Sequence, residues 1–273
     1  MGDVALDTKE LLYYNGFGGF SKDGKEYIIK TNEQCTPAPW SHLMANPEFG
    51  TIVTCHGGGY TWAHNSRENK LTTWCNDPVE DKPSEKIWLE KEDGDITFPF
   101  PYDSLVDFEI RFGFGYAIFQ RKTAELKLTS TIYVPITENK KVVKLSIENG
   151  KEDAQKFKIY YLLDVVLGVA KEFTNQHLVF EKVAGGVKVH NAYRENYQEE
   201  NVAILGFIEK RKANWDVSVN KDNEVTLSTD FLIEPHQTLN LFFEIYFIIG
   251  IFISEIFIKK FSRIFIFIKF IFF

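Results

Sequence analysis

The sequence predicts an all-β fold, a large antiparallel β-sandwich followed by an irregular tail rich in isoleucine and phenylalanine. The first observation behind this prediction is an alternation of apolar and polar residues, which is typical of strands with one buried face. The alternation is clearest over residues 124–134, 140–149 and 156–166. The second is the frequency of turn signals between such segments, and the third is the scarcity of helical periodicity between residues 13 and 240. Strands separated by frequent turns favour packed β-sheets.

The N-terminal part begins with an extension, residues 1–12, which lacks the basic region and apolar core of a signal peptide. A run of aromatic residues and glycines over 13–20 predicts a bend and the start of a strand, and residues 26–30 predict a short strand. Two prolines then keep the chain extended before Trp40, which either is presented at a fixed angle or, more simply, fills the core. With no signal peptide and no disulfide pattern, we expect a cytoplasmic location.

The middle of the chain continues as strands and turns. Residues 50–56 predict a strand that leads into the stretch 57–79, and two short strands follow around the turn Glu92-Asp93-Gly94. Farther on, Gly185-Gly186 predicts a tight hairpin. The predicted inward residues of the three clearest strands are Ala124, Leu126, Leu128, Ser130, Ile132 and Val134, then Val143, Leu145 and Ile147, then Phe157, Ile159, Tyr161, Leu163 and Val165.

The stretch of residues 57–79, GGGYTWAHNSRENKLTTWCNDPV, is the densest in groups that recognise a ligand. Aromatic rings occur here together with amide, guanidinium and carboxylate groups, which suits a ligand with apolar ring faces and many hydroxyls, such as a sugar. The candidate substrate-binding residues are Tyr60, Trp62, Asn65, Arg67, Glu68, Trp74 and Asp77. The alternative is a polar loop whose tryptophans are only half-buried, as tryptophans often are.

Three segments in order resemble the N-terminal region of the disaccharide phosphorylases of glycoside hydrolase family 94, formerly glycosyltransferase family 36. They are NGFGGFSKDGKEYIIK at 15–30, TPAPWSHLMANPEFGTIV at 36–53, and the stretch 57–79. That family includes cellobiose, cellodextrin and chitobiose phosphorylases and the phosphorylase-like part of cyclic β-1,2-glucan synthases. The pattern Asn-Ser-Arg-Glu-Asn at 65–69, with Trp74 and Asn76-Asp77-Pro78, is most similar to the glucan-synthase type.

The resemblance implies a galactose-mutarotase-like β-supersandwich that forms one side of a cleft for a β-linked gluco-oligosaccharide and takes part in a homodimer of the full-length relatives. In those relatives an aspartate of a helical domain acts as general acid while inorganic phosphate, the co-substrate, attacks the anomeric carbon. No residue of this chain matches that aspartate. We therefore expect a truncated member that lacks the catalytic domain, contains no catalytic residue, uses no cofactor and is inactive alone.

A second recognition point is implied by the resemblance in the later half of the chain. The segment Tyr193-Arg194-Glu195 is similar to a segment of cellobiose phosphorylases near the sugar cleft, which adds Arg194 to the candidate substrate-binding residues. The alternative is a solvated, charged loop.

Composition disfavours other functional classes. The formal net charge is −7 and there is no basic run, so we expect no nucleic-acid partner. The three cysteines, Cys35, Cys55 and Cys75, are an odd number without a CxxC pair. A metal site built from them together with His56 and His64 fits no familiar spacing, and we expect none.

From Leu241 the composition changes, with 11 phenylalanines and 11 isoleucines in the last 33 residues. Residues 241–250 resemble the last strand of the family's β-domain, so the predicted carbohydrate-binding domain spans 13–250 and a low-complexity apolar tail spans 251–273. The longest uncharged run, 245–254, is too short for a membrane helix, and we expect no membrane association. We expect the tail to be non-native sequence that arises from out-of-frame or intronic translation.

Two other functions stay open at this point. A stand-alone, non-catalytic lectin-like or structural β-sandwich would present its surface to a polysaccharide or a protein, and a membrane-tethered β-domain would use the segment from Leu241 onward. The three possibilities differ in simple observations. A phosphorylase domain regains turnover when it is combined with a helical domain, a lectin binds sugar unaided, and a tethered domain depends on detergent.

Overall fold

The computed structural model describes residues 10–31, 36–102, 107–193, 200–208 and 215–249. In these residues the chain forms strands almost throughout. The strands are β1 (Gly18–Phe20), β2 (Glu26–Lys30), β3 (Ser41–Ala45), β4 (Phe49–Thr54), β5 (Gly59–Ala63), β6 (Lys70–Thr72), β7 (Glu85–Lys91), β8 (Ile96–Thr97), β9 (Phe108–Gly113), β10 (Tyr116–Lys122), β11 (Leu126–Tyr133), β12 (Lys140–Asn149), β13 (Gln155–Gly168), β14 (Leu178–Val183), β15 (Gly186–Asn191), β16 (Glu200–Ile208), β17 (Asp216–Val219), β18 (Glu224–Ile233) and β19 (Thr238–Ile249).

The strands form two antiparallel sheets. The ten-stranded sheet has the order β1-β2-β9-β10-β11-β12-β19-β16-β15-β14. The nine-stranded sheet has the order β17-β18-β13-β6-β5-β4-β3, with β7 paired to β13 and β8 paired to β7. The first part of β13 lies between β18 and β7, whereas its last residues pair with β6. This architecture confirms the predicted all-β antiparallel sandwich.

The core between the sheets follows from the alternation in the sequence. In β11 every second side chain is buried, and the others are half-buried. Tyr161 of β13 and Phe243 of β19 meet across the sandwich, with ring centroids 4.6 Å apart. Burying a large apolar side chain contributes about 1.5–3 kcal/mol, so these inward rows stabilise the fold. The inward residues predicted for β11, β12 and β13 are all buried except one.

The exception is Ala124, which is exposed. The alternation suggested that the strand includes this residue, but β11 begins only at Leu126. The hydroxyl of Thr123 accepts hydrogen bonds from the backbone N–H of Glu125 at 3.3 Å and of Leu126 at 2.9 Å. These bonds close a turn, so the inward direction of the strand does not extend back to Ala124.

Strand β19 contains the beginning of the phenylalanine-rich region. It is a central strand of the ten-stranded sheet, between β12 and β16. Its residues Leu241, Phe243, Ile245 and Phe247 are buried. The apolar composition up to Ile249 is therefore that of a core strand, and the predicted tail, residues 251–273, lies outside the described residues.

One buried polar group joins the two sheets. Lys141 of β12 is 5% exposed, and its Nζ lies 2.9 Å from both carboxylate oxygens of Glu85 on β7. The same carboxylate accepts hydrogen bonds from the hydroxyls of Tyr161 at 2.7 Å and Thr61 at 3.0 Å. Burial raises the pKa of Tyr161 well above its usual value, and the Glu85 carboxylate raises it further. We call Thr61, Glu85, Lys141 and Tyr161 the inter-sheet network.

Helical structure is confined to two short pieces in the part of the chain that the structure describes. They are α1 (Lys171–Thr174) and a 3-10 turn at Asn175–His177, both in the connection between β13 and β14. No helix among the described residues has the length and apolar character needed to cross a membrane.

Candidate functional site

The stretch 57–79 lies on strands β5 and β6 and on the connections that follow each of them. Tyr60 and Trp62 are therefore held by a strand, whereas the other candidates lie on the connections, and both tryptophans are half-buried as in the alternative interpretation. In β5 the side chains of Thr61 and Ala63 are fully buried towards the core. Since successive side chains of a strand point to opposite faces, Tyr60 and Trp62 lie on the outer face of the nine-stranded sheet.

Three aromatic rings form a continuous array on that outer face. The ring centroid of Tyr60 lies 5.1 Å from that of Trp62 and 4.9 Å from that of Trp74, with interplanar angles of 35° and 36°. Tyr60, in the middle, is only 8% exposed, whereas both tryptophans are half-buried. Trp62 covers Gly50 of β4, where an added Cβ would lie 2.4 Å from the indole ring. We call Trp62, Tyr60 and Trp74 the aromatic cluster.

The three glycines before the cluster are required by packing within the protein. Gly59 has φ +132, and a Cβ at this position would lie 2.1 Å from the carbonyl oxygen of Ile52. A Cβ on Gly58 would meet the carboxylate of Asp81 at 2.3 Å. The glycine run therefore permits close contacts inside the fold and does not by itself indicate a ligand.

Asp81 closes the connection between β6 and β7 onto the β4–β5 hairpin. Its buried carboxylate accepts a short hydrogen bond from the hydroxyl of Thr54, and the Thr54 hydroxyl accepts the N–H of Gly58 at 2.9 Å. Burial raises the pKa of Asp81, while the bond from Thr54, the nearby His56 and the N–H of Gly58 oppose that rise. The sequence analysis did not single out this residue, because its partners lie more than 20 positions away.

The turn after β5 presents the charged candidates. The side-chain oxygen of Asn65 accepts hydrogen bonds from the N–H groups of Arg67 and Glu68, both at 2.9 Å. This oxygen is therefore engaged in shaping the turn. Arg67 is 84% exposed and its Nε lies 3.4 Å from the carboxylate of Glu68. The hydroxyl of Tyr60 donates to the carbonyl of Ser66 at 3.2 Å, which ties the turn to the aromatic cluster.

The connection after β6 places the remaining candidates, Trp74 and Asp77. Trp74 belongs to the aromatic cluster, whereas the Asp77 carboxylate accepts the N–H groups of Val79 at 2.7 Å and Glu80 at 3.2 Å. Next to Trp74, the Thr73 hydroxyl donates to Asp164 at 2.8 Å, and Asp164 forms an ion pair with Lys171. Asp164 and Lys171 thus support the position of Trp74. Sequence reasoning missed them because 91 positions separate Thr73 from Asp164.

Arg194 lies outside the described residues, and so does Cys35. The neighbouring Tyr193 is described. Its ring stacks on His177 with centroids 4.6 Å apart, and the side chain is largely exposed. The structure therefore brings Tyr60, Trp62 and Trp74 together beside the turn of Asn65, Arg67 and Glu68, shows no contact of Asp77 with them, and leaves the role of Arg194 as a prediction.

The chemistry that this arrangement offers is recognition of a ring-shaped, hydroxylated ligand. The array supplies apolar ring faces, and Arg67 and Glu68 supply exposed charged groups beside it. The carboxylates of Asp77 and Asp81 are engaged with backbone N–H groups and with Thr54, respectively. Within the described residues, no three His, Cys, Asp or Glu side chains are grouped as metal ligands.

Comparison with known proteins gives a consistent result. The family model described as "Glycosyl hydrolase 94, supersandwich domain" matches residues 25–224, which is 200 of the 273 residues. The chain is 36% identical over 170 residues to the cyclic beta-(1,2)-glucan synthase NdvB of Rhizobium meliloti (strain 1021), an alignment that covers 60% of this chain and 6% of the relative. It is 29% identical over 142 residues to the N,N′-diacetylchitobiose phosphorylase of Vibrio furnissii, covering 50% of this chain and 18% of that relative.

Among solved structures, a galactose mutarotase-like protein from Lactobacillus casei ATCC 334 superimposes with a TM-score of 0.48 and 8% sequence identity. The superposition covers 77% of this chain and 100% of that protein. The alignments with the glucan synthase and the chitobiose phosphorylase named above span 6% and 18% of those relatives, so the chain covers less than a fifth of the length of either.

Proposed function

The chain belongs to the glycosyl hydrolase 94 supersandwich-domain family, which confirms the resemblance, and from this premise we propose that it is the carbohydrate-contacting β-domain of a glycoside phosphorylase-type protein. Its ligand is a β-linked gluco-oligosaccharide. The phosphorolytic reaction requires a helical domain that supplies the general acid, with inorganic phosphate as co-substrate. In this proposal the β-domain binds one part of the sugar and does not turn it over by itself.

The observation that carries this proposal is the aromatic cluster. Sugars bind proteins through stacking of their C–H faces on aromatic rings and through hydrogen bonds to their hydroxyl groups. Trp62 and Trp74 retain partial exposure on an outer sheet face, although the ring between them is buried. The exposed guanidinium of Arg67 lies on the adjacent turn, which Tyr60 holds through Ser66. Ring faces and charged donors therefore occur side by side.

Two carboxylates that follow the aromatic cluster in the sequence, Asp77 and Asp81, form hydrogen bonds within the protein. General acid catalysis needs a carboxylic acid that can reach the glycosidic oxygen. The Asp77 carboxylate is held by two backbone N–H groups within its own turn, and the Asp81 carboxylate is buried against Thr54. The Asp81 carboxyl is thus enclosed by the fold, whereas the Asp77 side chain is exposed. Following the family resemblance, we assign the general acid to the helical domain.

The direct test is titration of the chain with cellobiose and with β-1,2-linked gluco-oligosaccharides while tryptophan fluorescence is followed. We expect a saturable change in the wild type, because Trp62 and Trp74 report on the surface that the sugar covers. We expect Trp62→Ala to reduce affinity roughly tenfold, the effect of removing one stacking ring worth about 1–1.5 kcal/mol.

Trp88→Ala is the matched control for this titration. Trp88 is also half-buried and also stacks on a tyrosine, Tyr160, at 4.8 Å, but it lies on β7 away from the cluster. The control variant should bind as the wild type does. No fluorescence change in the wild type, or equal losses in the two variants, would count against the proposal.

A second assay addresses turnover. The chain is mixed with β-linked gluco-oligosaccharide and inorganic phosphate, and the release of sugar 1-phosphate is measured with and without a separately expressed helical domain of a family member. We expect release only in the combined reaction. Sugar binding without any release in the combined reaction would favour the alternative, a stand-alone lectin-like module.

A further inference from the structure

Two basic residues occupy strand positions that face the space between the sheets. In β10 the side chain of Phe119 is fully buried, so Arg121, two residues farther along the strand, lies on the same inward face. In β7 of the other sheet the fully buried Leu89 places Lys91 on the inward face in the same way. The inward rows of both strands thus end in a cation, where an apolar residue would have continued the core.

These two cations line a cavity of about 310 Å³ at that end of the sandwich. Its other polar lining groups include the side chains of Asp95, Thr97 and Glu125. Small-molecule sites in proteins begin at about 300 Å³, so the cavity has room for a small organic molecule. It shares no residue with the aromatic cluster or with the turn at 65–69. We call it the end cavity.

The charges around the end cavity do not balance. The Glu125 carboxylate lies 2.5 Å from the Nζ of Lys151 and 2.5 Å from the Nζ of Lys91, and these two lysines lower the pKa of Glu125. The carboxylate of Asp95 lies 3.5 Å from the Nζ of Lys91. Among the described residues no carboxylate forms an ion pair with Arg121. An excess of positive charge therefore remains at the cavity, in a chain whose formal net charge is −7.

The Arg121 guanidinium is held in place without a carboxylate. It lies over the ring of Phe108, 5.3 Å from the ring centroid, and its Nη1 donates to the carbonyl of Phe98 at 3.1 Å. Within the part of the chain that the structure describes, these contacts use only one of its N–H groups. The planar guanidinium can therefore donate two parallel hydrogen bonds to an oxyanion, which is the geometry that arginine favours.

We propose that the end cavity binds the phosphate group of a small molecule, either as the free ion or as a phosphate monoester. Arg121 supplies the paired hydrogen bonds and the uncompensated positive charge. Lys91 and the hydroxyl of Thr97 line the same cavity and supply further donors. A phosphate has more acceptor oxygens than a carboxylate, which is the reason for choosing phosphate as the ligand of this donor set.

The test is calorimetric titration of the full chain with inorganic phosphate and with glycerol phosphate at constant ionic strength. We expect saturable binding in the wild type and a roughly tenfold or greater loss of affinity in Arg121→Gln, because a charge-assisted pair of hydrogen bonds is removed. Lys122→Gln is the matched control. It removes the same charge from the next residue, whose side chain is exposed, and should change affinity by no more than about twofold.

A variant with the opposite expected effect is Glu125→Gln. It removes a negative charge that lies between Lys91 and Lys151 and keeps the size of the side chain. We expect phosphate to bind roughly threefold tighter, since both lysines then contribute their charge to the cavity. Weaker binding in this variant would contradict the electrostatic basis of the site.

The two probes distinguish the two sources of phosphate. Tighter binding of glycerol phosphate assigns the cavity to a monoester, and equal binding assigns it to the free ion. The proposal is overturned if neither probe binds saturably at millimolar concentration, or if Arg121→Gln and Lys122→Gln lose equal affinity.

Circular dichroism establishes that each variant is folded. If Arg121→Gln fails to fold, nuclear magnetic resonance of the wild type decides instead: the Nε–H resonance of Arg121 must shift as phosphate is added, and an unshifted resonance contradicts the site. Neither probe has a sugar ring and no helical domain is present, so the result is independent of the proposed sugar binding.

Discussion

Two ion pairs in this protein each join a basic side chain to a glutamate, but one pair is buried and the other is exposed. Lys141 and Glu85 lie between the sheets, almost inaccessible to water, with the carboxylate also bound by Tyr161. Arg67 and Glu68 lie on the turn beside the aromatic cluster and are largely exposed. A buried pair is costly to break, because the remaining charge stays in the core, whereas an exposed pair is screened by water. The inter-sheet network therefore serves the fold, and the turn is free to serve a ligand.

The largest loss of stability is expected when the buried pair of Lys141 and Glu85 is broken. Lys141→Met retains the apolar stem of the side chain and leaves the Glu85 carboxylate without its cation. Breaking a buried pair in this way costs about 3–5 kcal/mol of unfolding free energy. Chemical denaturation of wild type and variant measures the difference.

Lys156→Met is the matched control for that measurement. Lys156 pairs with Glu92 at 2.6 Å, but its side chain is 56% exposed. The control should change stability by no more than about 0.5 kcal/mol. If the two variants lose similar amounts, the difference between buried and exposed pairs that we draw here is wrong.

A smaller, pH-dependent effect on stability is expected at Asp81, a buried carboxyl group without a lysine or arginine partner among its pKa determinants. Its pKa is raised above the ordinary value of 3.8, chiefly by burial. The native state therefore holds the proton more tightly than the unfolded state does. The stability that this group contributes is complete below its unfolded pKa and is lost as pH rises through the higher native pKa. Burial lowers the pKa of His56 and the Asp81 carboxylate opposes that shift, so the stability that His56 contributes changes with pH in the opposite direction, in the wild type and in an Asp81 variant alike.

Asp81→Asn removes this titration and keeps the size of the side chain. Unfolding free energies of wild type and variant are measured from pH 4 to pH 7. We expect the wild type to lose stability relative to the variant as pH rises across this range. A constant difference would show that the Asp81 carboxyl does not titrate differently in the native and unfolded states. Thr54→Val, which removes the hydroxyl that bonds to the carboxylate, should enlarge the wild-type trend.

The sequence predicted the fold better than it predicted the surroundings of the site. Alternation of apolar and polar residues is a local signal, so the inward faces of β11, β12 and β13 could be predicted from the sequence. The prediction that Ala124 faces inward was wrong because a turn precedes the strand. The contacts that shape the site are not local. Gly58, between β4 and β5, contacts Asp81, which lies between β6 and β7, and Thr73 contacts Asp164 on β13. No short sequence pattern encodes such contacts. They depend on the sheet topology, in which the first part of β13 pairs with β7 and its last residues pair with β6.

The smallest effect on stability is expected at the exposed pair of Arg67 and Glu68, where we expect a change in sugar affinity instead. Arg67→Ala removes a guanidinium that is 84% exposed, so the free energy of unfolding should change by no more than about 0.5 kcal/mol. Sugar affinity should fall roughly fivefold, because one charged donor to a partly solvated hydroxyl contributes about 1 kcal/mol. Lys22→Ala is the control, since Lys22 forms an exposed ion pair with Glu10 at 3.0 Å in another part of the chain. Equal affinities of the two variants would remove Arg67 from the site, and a large loss of stability in Arg67→Ala alone would mean that the turn supports the fold as the inter-sheet network does.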